Sequence, residues 1–411
     1  MKLNYRWSFL MMMFAAQAVH AQKGINSIYS AYGIGDYRMR DQNSFLGMGN
    51  VGVAMPSQST LNETNPASFG WLPKNKFMFE VTFGGLSTKY ITNNVNISAG
   101  DFTISRVALG FQLVKPLWTV VGLRKFSSVN YLTTNSHNIA GSVSGYSSTI
   151  EGNGGLYQLY MANSMKIQKH LTVGITTGFV FGSVNSTETI GAGTDVLVEN
   201  NNKYYNHGTI NAGVQYEIKA GKNIFMLGGF YEPEIALNVL EENSLQNSAG
   251  AVLVNRDSKS YTFSFPQKYG AGVTWKRNAF TVSADAIRHN WSATGYKGTD
   301  FSTTDASSYS IGVRHQPEKR NIYGTTTEGI GLFAGLNLEN SYLIVDNYQV
   351  QSKSFTLGAS FPSKNTLNTY SIGVKVGTRG EAVYPLVKEN FFEFNFSISL
   401  GSYFLKGPRY D

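Results

Sequence analysis

Cysteine is absent from the sequence, and proline is scarce, with 10 residues in a chain of 411. Without cysteine the protein forms neither disulfides nor thiolate metal sites, and it has no cysteine nucleophile. After the N-terminal region, no stretch has the roughly 20 consecutive apolar residues that a membrane-spanning helix requires. The formal net charge is +8, but the basic residues are spread out and form no Lys/Arg run. Nucleic acid is therefore not expected as a partner.

The first 21 residues have the pattern of a secretory signal peptide. Lys2 and Arg6 supply a positive start, an apolar core runs from Phe9 to Ala16, and small residues lead to a cleavage site after Ala21. The apolar core is too short to span a bilayer. We therefore expect residues 1–21 to direct export and to be removed. An exported chain that has no spanning helix can sit in a membrane only as a closed β-barrel.

The clearest pattern in the chain is the strict alternation of apolar and polar residues from Phe392 to Leu400. Successive side chains of a strand point to opposite faces, so this segment has one oily face and one polar face. Thirteen further segments carry the same pattern, one of them with a slip of register near Arg106. The predicted strands are 76–90, 102–115, 118–132, 156–167, 171–190, 209–218, 224–237, 261–275, 279–291, 307–316, 327–337, 345–361, 368–378 and 392–400.

The connections between these segments alternate in length. Turns of a few residues follow every second strand, and polar loops, usually of about ten to twenty residues, follow the others, as in barrels with short periplasmic turns and longer outer loops. A soluble sandwich has no reason to sort its connections in this way. The sequence therefore predicts an all-β fold, a transmembrane antiparallel β-barrel of about 14 strands at residues 75–411. Both mature termini are expected at the periplasmic end.

Residues 22–74 precede the first predicted strand, do not alternate and are rich in glycine. Glycine permits close approach between backbones, so we expect this segment to fold into the lumen as a plug. Asn65, Pro66 and Ala67, at its end, either latch the plug inside the lumen or only turn the chain into the barrel. Four plug aromatics either line an apolar pocket or form the plug's own small core. They are Tyr29, Tyr32, Phe45 and Phe69.

The sequence contains no pattern that indicates catalysis. The six histidines are scattered without metal-ligand spacing, and no Gly-x-Ser-x-Gly motif is present. We therefore expect no enzymatic activity, no metal and no cofactor. Arg124, Asp285 and Lys375 are candidate lumen-facing charges, because they lie among the polar positions of predicted strands. Such charges either pair with one another across the barrel interior or bind the carboxylate of a substrate.

Four short motifs give the chain a resemblance to a known family. They are the Gly-rich segment that leads to Asn65-Pro66-Ala67, Phe265-Pro266 before the strand with Asp285, Tyr309-Ser-Ile-Gly-Val313, and Lys388-Glu-Asn390 with the tail from Phe404 to Asp411. With these motifs the sequence resembles the FadL-type long-chain fatty acid transporters of outer membranes, in the version seen in Bacteroidetes. That family has fourteen strands and an N-terminal hatch, and the resemblance implies that Asn65, Pro66 and Ala67 form the hatch motif.

The resemblance also implies a function, the passive uptake of hydrophobic small molecules such as long-chain fatty acids across the Gram-negative outer membrane. The ligand would be captured in the barrel and released by a shift of the plug or through a gap in the wall. Two alternatives stay open: a FadL-type barrel that serves as a secretion shuttle or tethers proteins, and a porin for polar solutes. The expected partners are a hydrophobic small molecule, outer-membrane lipid and lipopolysaccharide, and the barrel assembly machinery during insertion.

Overall fold

The protein is a closed antiparallel β-barrel with a segment inside its lumen, as a computed structural model describes it. The described residues are 27–37, 39–40, 43–92, 96–114, 116–138, 145–192, 195–298, 301–320, 326–363, 367–383 and 386–403. The predicted signal peptide and the C-terminal tail lie outside these residues. No helix in the described part of the chain is both long enough and apolar enough to cross a bilayer.

Fourteen strands form the barrel wall, which confirms the predicted fold class. They are β1 (Lys76–Ile91), β2 (Asn96–Val114), β3 (Leu117–Lys125 and Ser127–Asn138), β4 (Gly145–Lys166), β5 (Leu171–Ala192), β6 (Asp195–Ala220), β7 (Asn223–Glu232 and Ile235–Asn247), β8 (Lys259–Phe265 and Lys268–Arg277), β9 (Phe280–His289), β10 (Ala306–His315), β11 (Gly331–Val345), β12 (Tyr348–Pro362), β13 (Thr369–Arg379) and β14 (Lys388–Tyr403). The ring closes because β14 pairs with β1, from Lys76 opposite Tyr403 to Ile91 opposite Lys388.

Shorter elements occupy the lumen and the connections. They are the 3-10 helices Ile28–Ala31, Leu46–Met48, Pro66–Trp71 and Trp291–Thr294 and the strands Asp36–Tyr37, Val252–Asn255, Phe301–Thr303, Glu318–Arg320 and Thr326–Glu328. The helices up to Trp71 and the strand Asp36–Tyr37 belong to the segment inside the barrel, which we call the plug. The first barrel strand follows it at Lys76.

The alternation of β14 translates directly into burial. Its polar side chains Glu393, Asn395, Ser397 and Ser399 face inward and are buried, whereas Phe392, Phe396 and Leu400 on the outer face are exposed. This is the reverse of a soluble protein, in which exposed apolar rows of this kind are rare. Because the apolar rows continue around the ring, the outer face matches the hydrocarbon of a bilayer and the inner face surrounds a polar interior.

The slip of register near Arg106 is a β-bulge. Thr82 of β1 lies opposite Arg106 of β2, and the next residue, Phe83, lies opposite Ile104. Ser105 is therefore the extra residue, and both Ser105 and Arg106 are buried. A bulge changes the direction in which side chains point, and here it turns a guanidinium into the lumen.

Several connections that were expected to be long loops are extensions of the strands. β4 has 22 residues and β6 has 26, where strands were predicted only at 156–167 and 209–218. β5 also has 22 residues, but its length agrees with the predicted strand 171–190. Crossing the membrane takes about 9–11 residues. The stretch expected as a loop between β3 and β4 begins at Thr133, but Thr133 lies opposite Ile150 and the ladder continues to Asn138 opposite Gly145. The prediction failed because both faces of these extensions are polar, so no apolar period marks them, although their backbones pair normally.

The plug crosses the barrel from one end to the other. The Ser27 hydroxyl donates to Glu389 at 2.7 Å, beside the first residues of β14. Lys76, just after the plug, lies at the opposite end, where it pairs with Tyr403. The first described residue of the plug therefore lies at the end of the barrel opposite to Lys76. The predicted mature N-terminus, expected at the periplasmic end, lies outside the described residues.

Candidate functional site

The plug rests against glycines of the barrel wall. These inward-facing residues, which we call the glycine belt, are Gly174, Gly213, Gly228, Gly272, Gly312, Gly335, Gly358 and Gly373. They form four cross-strand pairs, 174 with 213, 228 with 272, 312 with 335 and 358 with 373. A Cβ atom on Gly335 would lie 2.2 Å from the backbone nitrogen of Gly49, and one on Gly228 would lie 2.2 Å from the carbonyl oxygen of Val53. Only glycine allows this approach.

Asn65 joins the plug to two strands of the wall. Its Oδ1 accepts a hydrogen bond from the backbone N–H of Ala67 at 3.0 Å, which caps the helix Pro66–Trp71. Its Nδ2 lies 2.9 Å from the carbonyl oxygen of Val53, 3.1 Å from that of Val214 and 3.2 Å from that of Gly229. The side chain is fully buried. The predicted hatch motif thus lies inside the lumen, against β6 and β7.

Asp285 of β9 holds a second part of the plug. Its Oδ2 accepts from the backbone N–H groups of Gly52 at 2.6 Å and Val53 at 2.9 Å. The Arg40 guanidinium of the plug lies 3.5 Å from the same oxygen, and both side chains are buried. Burial lowers the pKa of Arg40 from its ordinary value, and the Asp285 carboxylate opposes this effect. A predicted lumen-facing charge therefore binds the plug.

A buried charge cluster joins the plug to β1 and β2. Arg106 pairs with Glu80, and its Nη1 lies 3.3 Å from Oε1 of Glu63 in the plug. Glu80 also accepts from the backbone N–H of Leu61 at 2.9 Å, and the Tyr160 hydroxyl donates to Glu63. Sequence patterns did not predict this cluster of Arg106, Glu80, Glu63 and Tyr160. The available signals were the bulge at Arg106 and the position of Glu80 on the polar face of an aromatic-rich strand.

The other two predicted charges lie on the inner side of the wall, at separate places. Arg124 donates from Nε to Oε1 of Gln158 at 2.7 Å, and its guanidinium carbon lies 5.6 Å from the centre of the Tyr160 ring. The Lys375 nitrogen lies 5.6 Å from the centre of the Phe391 ring. Arg124, Asp285 and Lys375 therefore do not form one binding site.

The four candidate aromatics of the plug also lie apart. The Tyr29 hydroxyl donates to the carbonyl of Val387 at 2.7 Å, and burial raises the pKa of this phenol to about 12. The Tyr32 ring lies 5.1 Å from the Phe301 ring. Phe45 and Phe69 belong to two further clusters of buried apolar residues. Tyr29 and Tyr32 share one cluster of apolar residues, whereas Phe45 and Phe69 lie in two others. The structure therefore does not bring the four together in one pocket or in one plug core.

The wall between β2 and β3 is paired over only part of its height. The two strands pair from Val114 opposite Leu117 to Arg106 opposite Arg124. Beyond this point, the described residues 96–105 and 127–138 form no ladder with each other, and we call this interval the wall seam. At its lower end, Ser127 and Ser128 pair with the plug strand Asp36–Tyr37. The plug therefore covers one edge of the seam from inside.

Two small cavities lined by described residues lie between the plug and the wall. The first, of about 40 Å³, adjoins the wall seam and is lined by residues that include Asp101, Arg106 and Arg124. The second, of about 110 Å³, is lined in part by charged residues, which are Asp36, Arg40, Glu339, Lys375, Arg379, Glu389 and Glu393. Ligand pockets are commonly about 300–1,000 Å³ and mostly apolar. Across the described ranges, no group of three or more His, Asp or Glu side chains is arranged to hold a metal ion.

Solved structures of outer-membrane channels share this fold. The toluene transporter TbuX of Ralstonia pickettii superposes with a TM-score of 0.59 at 13% identity, over 88% of this chain and 98% of that one. A FadL homologue of Pseudomonas aeruginosa superposes with a TM-score of 0.61 at 12% identity, over 90% of this chain and 100% of that one. The toluene transporter TodX of Pseudomonas putida superposes with a TM-score of 0.60 at 16% identity, over 91% of this chain and 100% of that one. The fold is thus that of the FadL-like outer-membrane barrels.

Sequence comparison gives a family. A search of curated proteins finds no match. The family model for BamG, in contrast, matches residues 5–411. The match includes the plug and every strand of the barrel, and the protein therefore belongs to the BamG family.

Proposed function

We propose that this protein serves the barrel assembly machinery of the outer membrane as a plugged barrel subunit that does not conduct. The observation that carries the proposal is the filling of the lumen, because the plug lies directly on the glycine belt and two cavities described beside it measure about 40 and 110 Å³. The family match supports the choice of partner, since the name BamG is that of a Bam component. The role is structural, and we propose no catalytic step for it.

The character of the remaining cavities argues against storage of an apolar ligand. The larger cavity is smaller than the engineered cavity of about 150 Å³ that accepts a single benzene. Its lining includes carboxylates and guanidinium groups, among them Glu389 and Arg379. An acyl chain in this place would separate these groups from water without replacing their hydrogen bonds, which is unfavourable.

The contacts of the plug argue for a fixed element. The Asn65 side chain donates to the wall carbonyls of Val214 and Gly229, and Asp285 and Arg106 of the wall bind plug backbone. Moving the plug would leave these groups without hydrogen-bond partners, and each buried polar group left unpaired costs about 1–3 kcal/mol. A fixed plug suits a barrel whose work is done by its outer surface and its long strand extensions.

Co-purification with the machinery tests the proposal. The tagged chain would be extracted from its native membrane in mild detergent, and the central barrel subunit of the assembly machinery would be quantified in the eluate. The matched control is another tagged outer-membrane barrel at the same level of expression. We expect the machinery to be enriched with this chain alone. Equal amounts with both baits would refute the proposal.

Passive uptake of hydrophobic small molecules is the second candidate, favoured by the wall seam. The seam adjoins a cavity, and the only plug strand among the described residues, Asp36–Tyr37, lies along its edge. If this strand moved away, an apolar molecule could leave the lumen sideways into the bilayer. The structural relatives include two proteins described as toluene transporters.

Vesicles test the second candidate. Uptake of a labelled long-chain fatty acid and of toluene would be compared between vesicles that contain the protein and empty vesicles. The transporter hypothesis predicts faster uptake with the protein, and a further increase after deletion of residues 27–74. Equal rates in all three preparations would eliminate this candidate and leave the assembly role in place.

A further inference from the structure

The outer surface of the barrel carries a groove across β10, β11, β12 and β13. Its volume is about 450 Å³, which exceeds that of either lumen cavity. The outward-facing residues that line it are Tyr309, Ile311, Leu336, Leu338, Lys353, Phe355, Val376 and Thr378. We call it the outer groove. It lies on the face that the alternation of the strands turns toward lipid, because the neighbouring side chains of Ser310, Ser354 and Thr356 are buried on the opposite face.

Strand register divides the outer groove into two rows. In the first row Tyr309, Leu338, Lys353 and Thr378 lie side by side on consecutive strands. In the second row the neighbours are Ile311, Leu336, Phe355 and Val376. The first row lies nearer the end of the barrel where residues 346 and 347 join β11 to β12. In the first row every side chain except that of Leu338 ends in a polar group, and the second row, farther from this end, is entirely apolar.

Lys353 is the only charged residue that lines the outer groove. Its side chain is exposed, and its cross-strand neighbours are Leu338 and Thr378, which carry no charge. No carboxylate of the described residues forms an ion pair with it. An unpaired ammonium on a lipid-facing surface is costly unless its long stem lets it reach the polar boundary or an anion reaches it.

We propose that the outer groove binds one molecule of an anionic lipid. An acyl chain lies against Ile311, Leu336, Phe355 and Val376, and the lipid phosphate accepts hydrogen bonds from the Lys353 ammonium and from the hydroxyl groups of Tyr309 and Thr378. The arrangement fits a lipid better than a protein surface. A lipid has one charged head group and an apolar chain, and the outer groove has one cation beside an apolar row. The charges are complementary, and the hydroxyl groups add neutral donors.

Competition between two lipids tests the proposal. The full chain, freed of native lipid in detergent, would receive equimolar phosphatidylglycerol and phosphatidylcholine with identical acyl chains, and native mass spectrometry would count the lipids that each protein retains. We expect a preference of about fivefold for phosphatidylglycerol, the effect of one lysine near an anionic head group. Lys353→Gln should reduce the ratio to about one, and Lys353→Arg should keep it.

Two further variants make the test specific. Lys89→Gln removes another exposed, outward-facing lysine, on β1, and should leave the preference unchanged. Leu336→Trp should fill the groove and lower retention of both lipids. Equal retention of the two lipids by the wild-type chain would overturn the proposal, as would a preference that survives Lys353→Gln. A groove that binds only a protein partner would give the first of these results.

Discussion

At the scale of single residues, a few buried polar side chains hold the plug in the barrel. Asn65 and Asp285 each contact backbone groups of residues 52–53 and so fix the same part of the plug from two sides. Arg106 and Glu80 fix a second part, around Leu61. In a close-packed interior such bonds define position, because an unpaired partner has no water available to replace the lost contact.

Replacement of Asn65 by alanine should destabilise the protein by about 2–3 kcal/mol. The change removes a helix cap, which contributes about 1 kcal/mol, and it leaves the carbonyls of Val53, Val214 and Gly229 without their donor. The free energy of unfolding in detergent, from denaturant titration, measures the effect. Asn238→Ala is the control, because its side-chain hydrogen bond is exposed. Equal losses in both variants would contradict the assigned role of Asn65.

Replacement of Arg106 by methionine should cost about 3–5 kcal/mol, because it leaves the carboxylates of Glu80 and Glu63 buried without their cation. Combining it with Glu80→Gln should recover part of this loss, and a double-mutant cycle measures the coupling. The exposed pair Lys276–Glu318 serves as the control and should couple by less than about 1 kcal/mol. Similar coupling at both sites would show that the buried cluster has no special role.

Sequence patterns identified some of these residues and missed others for a physical reason. Asn65 and Asp285 stood out because an Asn-Pro turn and a charge among strand residues are locally unusual. Glu80 was not predicted, because its partners, such as Ser399, lie far from it in the chain. The partners of an inward-facing side chain depend on which strands close the ring and on the path of the plug. A periodic pattern contains neither.

At the scale of elements, the glycine belt explains how a backbone segment fits against a strand wall. Each cross-strand pair of glycines forms a shallow depression in the inner surface of the wall, because no side chains project there, and the plug backbone lies in this depression. The glycines of the plug predict a close approach between backbones, and the glycines of the wall have the same role. The glycines of β5 to β13 gave no local signal, because a strand glycine that contacts a plug looks like one that faces lipid.

Replacement of Gly335 by alanine should displace the plug. Its new Cβ atom would lie 2.2 Å from the backbone nitrogen of Gly49, which cannot move without its neighbours. We expect a loss of about 2 kcal/mol or more in unfolding free energy, together with current events in planar bilayers that the wild type lacks. Gly229→Ala is the matched control, since the nearest atom to its Cβ would be 3.7 Å away. A silent, fully stable Gly335→Ala variant would show that the plug is not held by the belt.

The strands themselves were predictable only where a membrane gives their two faces different surroundings. The alternation of β14 and β9 marked them correctly, because lipid on one side and a polar lumen on the other impose a period of two. The outer parts of β4 and β6 lie outside the predicted strands, because water on both sides removes the period, whereas β5 agrees with the predicted strand 171–190. The wall seam was also invisible, since it depends on pairing between strands.

At the scale of the whole molecule, the protein is a FadL-like barrel whose lumen is occupied and whose outer surface carries the distinctive features. The chain belongs to the BamG family, and its fold matches channels at 12–16% identity, a level at which a shared fold does not imply a shared substrate. Long strand extensions, a wall seam and the outer groove all offer contacts to the membrane and to other proteins. We therefore propose that this barrel works by contact and not by conduction.

Depletion of the protein in its native host distinguishes contact from conduction. The amounts of other outer-membrane barrels in folded form would be measured by quantitative mass spectrometry and heat-dependent gel mobility, alongside uptake of a labelled fatty acid. We expect folded barrels to decline broadly as the protein is depleted, before uptake of the fatty acid changes. Unchanged levels of folded barrels together with a selective loss of fatty acid uptake would contradict it.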